Sequence, residues 1–280
     1  MSSVKNSSFE LLNPWLGVGR PSSYTWEPIS RQQSLLILVG VTGVGKTTTV
    51  EALRQAGLSF ELLPNRRDLT NKLMITWVQD HKNVPRTAIT DRTERFAHTA
   101  YYRQHFPGGM AHTLARLWIN RATMKASYMI FDGLRGENEI HHAVKLLPQA
   151  RFIFLHAPHF VRIQRLLSRQ DKFDAISSSI TLENDANQLN TLAELGVGEL
   201  EGLLTTEEEQ TLLALVRQGQ VSIKDLQAKL SIVLAERNNY DPDATKETLQ
   251  RLAPEQTFFV DTTQYGPDEV AQLILNIKKF

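Results

Sequence analysis

Eight consecutive residues, Gly40-Val41-Thr42-Gly43-Val44-Gly45-Lys46-Thr47, constrain this chain more than any other feature. They satisfy G-x-x-x-x-G-K-[ST] at every specified position. Ahead of them, residues 34–40 read Ser-Leu-Leu-Ile-Leu-Val-Gly. An unbroken apolar run of that length predicts a strand buried on both faces, as in a parallel sheet. Behind them Val50, Leu53 and Ala56 recur at helical spacing as far as Gly57, a C-terminal stop. Strand, glycine-rich turn and helix in that order make an anion cradle. The glycines let the backbone wrap closely around phosphate oxygens. The loop N–H groups and the helix N-terminus present partial positive charge to an anion. Lys46 is placed to reach β- and γ-phosphates, and the Thr47 hydroxyl to bind Mg²⁺. The predicted cofactor-binding segment runs from Gly40 to Thr48.

On this loop the chain resembles the P-loop NTPases. Beyond it, over roughly 35–175 and 255–280, the layout is similar to the nucleotide-kinase-like branch, which includes guanylate, thymidylate and shikimate kinases. The resemblance implies an α/β, three-layer P-loop fold with a mainly parallel sheet. It also implies ATP as the nucleotide, since no residue here selects adenine over guanine.

Further strands are predicted at 59–63, 87–90, 128–131, 151–155 and 257–260, and the last four are followed by Asp91, Asp132, His156 and Asp261. Ligands of open parallel sheets bind beyond the carboxyl ends of the strands, so these polar residues are site candidates. Residues 1–33, with Pro14, Pro21, Pro28 and many serines, read as an irregular lead-in. The core is read as 34–180, with an acceptor region at about 64–125 and a lid at about 160–175. Residues 181–252 read as a helical insertion, because Thr205-x-x-Glu208 and Ser222-x-x-Asp225 are helix starts of the capping type. Residues 253–280 supply the last core strand and a C-terminal helix.

The 280 residues include no cysteine, which excludes disulfides and thiol nucleophiles. A net charge of +1 without a basic run makes a nucleic-acid partner unlikely on electrostatic grounds. The longest apolar run, 35–39, is too short to span a bilayer, and the N-terminus lacks a signal-type pattern. The expectation is a cytoplasmic protein without a membrane segment.

Other roles follow by position. Asp132, after the apolar run 128–131, is the second metal candidate beside Thr47; the plain alternative is a strand-terminal residue that caps the next turn. Hydrolytic ATPases of the AAA type place a water-activating glutamate directly after such an aspartate. Here Gly133 stands there, with Glu137 and Glu139 nearby. Asp91-Arg92 is similar to an element of thymidylate kinases that contacts substrate and phosphate. That resemblance makes Asp91 a candidate to orient or deprotonate an acceptor hydroxyl; a surface ion-pair network is the plain alternative. Arg66, Arg67 and Arg92 are acceptor-binding candidates, since guanidinium forks suit phosphate. Arg162, Arg165 and Arg169 share one helix face. In nucleotide kinases this position leads into a lid whose arginines close over the phosphates, so Arg165 and Arg169 join Lys46 as catalytic candidates. Thr262 to Gln264 are candidates for base contacts. His98, His105 and His112 recur every seven residues without an i, i+4 pair.

Together these residues predict a Mg²⁺-dependent kinase that phosphorylates a small molecule or nucleotide. The alternative is a regulatory ATPase or nucleotide switch acting on a protein partner through 181–252.

Overall fold

The computed structural model describes residues 9–168, 189–196 and 202–277. It opens with three short strands, β1 (Glu10–Asn13), β2 (Leu16–Val18) and β3 (Trp26–Pro28). Five more belong to the core: β4 (Leu35–Val39), β5 (Phe60–Leu62), β7 (Tyr128–Leu134), β8 (Arg151–His156) and β9 (Thr257–Asp261). Between them β6 (Leu117–Asn120) joins the first three in an antiparallel sheet of order β1-β2-β6-β3. The segment read as irregular therefore carries a sheet. Its strands are three or four residues long, with Pro14 and Pro21 between them, so no period of two accumulates in the sequence. Trp15 is buried in the core, and Trp26 meets Phe9 edge-on at 4.7 Å, which pins the segment down.

The core sheet has the order β5-β7-β4-β8-β9, and every neighbouring pair in it is parallel. Side chains of β4 divide by the strand period. Leu35, Ile37 and Val39 enter one apolar cluster, while Leu36 and Leu38 enter the other. On the second face lie α1 (Lys46–Gln55) and α11 (Pro267–Ile277). The first face is covered by α2 (Arg66–Leu69), α3 (Thr76–His81), α4 (Arg92–His105), α5 (Met110–Ala115), α6 (Glu137–Leu146) and α10 (Pro242–Leu252). Three layers result. Because β4 lies between β7 and β8 while the chain proceeds to β5, its carboxyl end borders a crevice.

Residues 87–90, read as a strand, lie outside both sheets. Gln79 Nε2 donates to the Thr87 carbonyl at 2.9 Å, so a side chain takes the place of a ladder. β-Branched residues at 87, 89 and 90 satisfy strand propensity, but no neighbouring edge pairs with them.

A third apolar cluster joins α7 (His159–Leu167), α8 (Thr206–Arg217) and α9 (Ile223–Asn239). Ile163 and Leu166 meet Leu212, Leu213, Val216, Leu226, Leu230 and Val233 there. Both capping residues start helices. The Thr205 hydroxyl accepts the Glu208 N–H at 3.2 Å, and the Glu208 carboxylate accepts the Thr205 N–H at 2.8 Å. Ser222 accepts the Asp225 N–H at 3.0 Å. Replacing Thr205 with alanine should cost about 1 kcal/mol in denaturant unfolding; an unchanged midpoint would mean that α8 does not depend on its cap. No helix of the described residues is long and apolar enough to cross a membrane.

Candidate functional site

The loop between β4 and α1 sits at the crevice. Gly43 adopts φ +87°, and a Cβ there would lie 3.0 Å from Arg162 Cβ and 3.1 Å from the Arg162 carbonyl oxygen. Only glycine suits both the backbone and that close approach of α7. Lys46 is 9% exposed. Its Nζ donates to the carbonyls of Gly40 at 2.9 Å and Val41 at 3.0 Å, and stands 3.7 Å from Asp132 Oδ1. Burial lowers its pKa to about 8, against the opposing pull of Asp132. An anion entering the loop would favour the charged form again. Thr47 and Thr48 are exposed on the first turn of α1.

Asp132 lies within β7, opposite Leu38, since that strand continues to Leu134 instead of stopping at 131. Its Oδ1 is buried and has no hydrogen-bond partner. An unsatisfied carboxylate oxygen 3.7 Å from the ammonium of Lys46, the residue before Thr47, is an oxygen donor of the kind a hard divalent cation takes. The residues thus fit Mg²⁺.

Glu236, on α9, had no signal in the sequence and is central in space. Its carboxylate accepts the Thr42 N–H at 3.0 and 3.1 Å and the Thr42 hydroxyl at 2.5 Å. It also receives Arg135 Nη1 at 2.9 Å and Arg162 Nη2 at 2.6 Å. Arg162 is 1% exposed, and its Nε donates to the Thr42 carbonyl at 2.8 Å. One carboxylate therefore ties the phosphate loop to α7, α9 and the residue after β7.

Arg165 reaches the loop from the same helix. Its Nη1 donates to Thr262 Oγ1 at 2.8 Å and the Gly43 carbonyl at 3.3 Å, and its Nη2 donates to the Thr262 carbonyl at 2.8 Å. Gly45, Thr48, Arg165, Thr262 and Tyr265 line a cavity of about 230 Å³ at the start of α1. Arg169 and the side chain of Arg92 lie outside the described residues.

Several other candidates already have partners within the protein. Asp91 is exposed, and its Oδ1 accepts the Glu94 N–H at 2.8 Å as the N-cap of α4. Arg66 holds Glu139 in two parallel bonds of 2.7 Å and donates to the Gly133 carbonyl at 2.8 Å. Arg67 is exposed on α2. His98 and His105 bond to carbonyls of their own helix, those of Glu94 and Tyr101. Among the described residues no three His, Asp or Glu side chains form a metal cluster.

A glycine-rich loop between a central parallel strand and a helix, with a buried lysine beside an aspartate of the adjacent strand, defines a P-loop α/β protein. Residues 36–189, more than half of the chain, match the family described as AAA domain, and the chain belongs to that family. No curated protein matches its sequence. Among solved structures it is similar to an unliganded sugar kinase from Janibacter sp. HTCC2649, at 15% identity over 88% of this chain and 94% of that one, TM-score 0.40. A gluconokinase from Sinorhizobium meliloti 1021 gives 12% identity, 88% and 91% coverage and a TM-score of 0.35. A shikimate kinase from Acinetobacter baumannii in complex with shikimate gives 14%, 88%, 93% and 0.32. These likenesses are too distant to speak to the chemistry of this chain.

Proposed function

We propose that the chain is a Mg²⁺-dependent phosphotransferase that moves the terminal phosphoryl group of a nucleoside triphosphate, ATP by the family resemblance, to a small-molecule acceptor. The observation that carries this reading is the packing at Gly133. A Cβ there would lie 2.6 Å from the Phe131 ring and 3.1 Å from Arg66 Cβ, so a water-activating glutamate has no room directly after Asp132. Of the other two carboxylates on that turn, Glu139 is clamped by Arg66, and Glu137 accepts the Thr248 hydroxyl at 3.3 Å. The site is thus well provided with cations and poor in bases for water.

Phosphoryl transfer through a loose transition state asks for positioning and charge neutralisation more than for a base. The loop N–H groups and Lys46 hold the phosphates, and Thr47 and Asp132 would hold Mg²⁺, which supplies charge neutralisation at the phosphate oxygens. Arg165 closes the side of the cavity, where Thr48, Thr262 and Tyr265 offer room for the base. The acceptor hydroxyl oxygen bonds to the terminal phosphorus, the bond to the bridging oxygen breaks, and the nucleoside diphosphate departs. The hydroxyl proton passes to Asp91, which would accept it by giving up its bond to the Glu94 N–H, and leaves from there to water. Arg66, Arg67 and Arg92 would contact the acceptor in this reading.

One observation favours a second reading, a nucleotide switch with a protein partner at 181–252: Glu236 of that region grips the loop itself. Incubation with γ-labelled ATP and Mg²⁺, with and without a pooled small-metabolite extract, separates the two. Label in a new small molecule, dependent on the extract and absent with Lys46→Ala, is the expected result. Label released as free phosphate at a rate the extract leaves unchanged would overturn the transfer reading.

A further inference from the structure

We propose that Arg135 binds the terminal phosphoryl group of the nucleoside triphosphate, and that Glu236 is the residue that positions it. The inference rests on the triphosphate reading of the loop.

Among the described residues, two buried side-chain polar atoms lack a hydrogen-bond partner: Asp132 Oδ1 and Arg135 Nε. Buried polar groups are nearly always paired, so two orphans three residues apart mark a place where a ligand completes the protein. They have opposite character. The carboxylate oxygen takes a cation, whereas the guanidinium N–H takes an oxyanion. A metal-bound phosphate supplies both at once.

Register places Arg135 at the outer end of the triphosphate. Leu134 pairs with Val39, so Arg135 follows beside Gly40, the first residue of the loop. Lys46 Nζ is held at that point, on the carbonyls of Gly40 and Val41. Lys46 is the loop residue that reaches the terminal phosphates. Thr48 stands instead on the first turn of α1, where the inner phosphates would lie in this reading.

The guanidinium is fixed before any ligand arrives. Arg135 Nη1 donates to Glu236 Oε1 at 2.9 Å, and the same carboxylate holds Thr42 of the loop. The Arg135 backbone N–H donates to Glu139 at 3.2 Å, and Arg66 clamps that carboxylate in turn. Anchored this way, the unpaired Nε loses little freedom when an oxygen binds. Glu236 thereby sets the arginine and the loop in one frame.

The test compares equilibrium binding of Mg²⁺ with ADP and with a non-hydrolysable ATP analogue, in wild type, Arg135→Ala and Glu236→Gln. Arg135→Ala should weaken the triphosphate about 10- to 100-fold and the diphosphate by less than about 3-fold. Its fold should survive, because Glu236 keeps Arg162 as a partner. Glu236→Gln should move the triphosphate-to-diphosphate ratio in the same direction, a readout that loss of stability alone does not shift. Equal losses for both nucleotides, or a wild-type preference that persists in Arg135→Ala, would overturn the assignment alone. Wild-type protein that binds neither nucleotide would remove the triphosphate reading and this inference with it.

Discussion

Replacing Glu236 with alanine should lower the unfolding free energy by about 3–5 kcal/mol, the usual cost of stranding one member of a buried ion pair. Arg162 is 1% exposed and Glu236 6%, so water cannot take the place of the missing carboxylate. The Thr42 N–H, the Thr42 hydroxyl, Arg135 and Arg162 all lose their shared acceptor in one step. α9 also loses its polar tie to α7 and keeps the apolar contacts of the helical cluster. Glu236→Gln retains an oxygen for Thr42 but leaves two guanidinium charges uncompensated, so its loss should fall between that of alanine and zero. Chemical denaturation of the three proteins measures this. A loss below about 1 kcal/mol in Glu236→Ala would mean that the network rearranges freely and does not hold the loop.

Lys46→Ala should show the converse pattern. Affinity for a nucleoside triphosphate should fall roughly 100-fold or more, because a buried cation hydrogen-bonding a phosphate acts in a low dielectric. Stability should change by less than about 1 kcal/mol. In the ligand-free protein Lys46 carries a desolvation penalty that pushes its pKa down to about 8, so its removal relieves strain as it deletes two hydrogen bonds. The Gly40 and Val41 carbonyls border the crevice, where water can replace the ammonium. Calorimetric binding and thermal unfolding of one preparation separate the two effects. Loss of binding accompanied by a large drop in melting temperature would show that the lysine holds the loop together instead of serving a ligand.

The contrast between these two residues shows which parts of the molecule the sequence displays. Lys46 sits in a contiguous pattern whose every part is local: an apolar run, three glycines and a helix start. Such patterns need no knowledge of packing, and the loop, β4 and α1 stand where they were read. The parallel sheet was legible for the same reason, because strands buried on both faces leave unbroken apolar runs. Glu236 lies 194 residues from Thr42 and looks like any glutamate on a surface helix. Its importance comes from the way α7 and α9 pack, and no local pattern records that. The antiparallel sheet leaves no trace in the sequence, because strands of three or four residues are too short for a period. Residues 87–90 erred in the other direction: strand propensity was present, and a pairing edge was not. Asp91 and Arg66 carry chemistry that suits a substrate site, and no local pattern records that one also caps α4 and the other also pairs with Glu139.

The central claim, that the loop at Gly40 to Thr47 is a triphosphate cradle, is tested most directly by isothermal titration of the full chain. The titrants are ATP and GTP, each with and without Mg²⁺, run beside Lys46→Ala. Saturable one-site binding that strengthens with Mg²⁺ and disappears in Lys46→Ala is the expected result. Heat at the level of dilution for both nucleotides, or undiminished binding by Lys46→Ala, would contradict it.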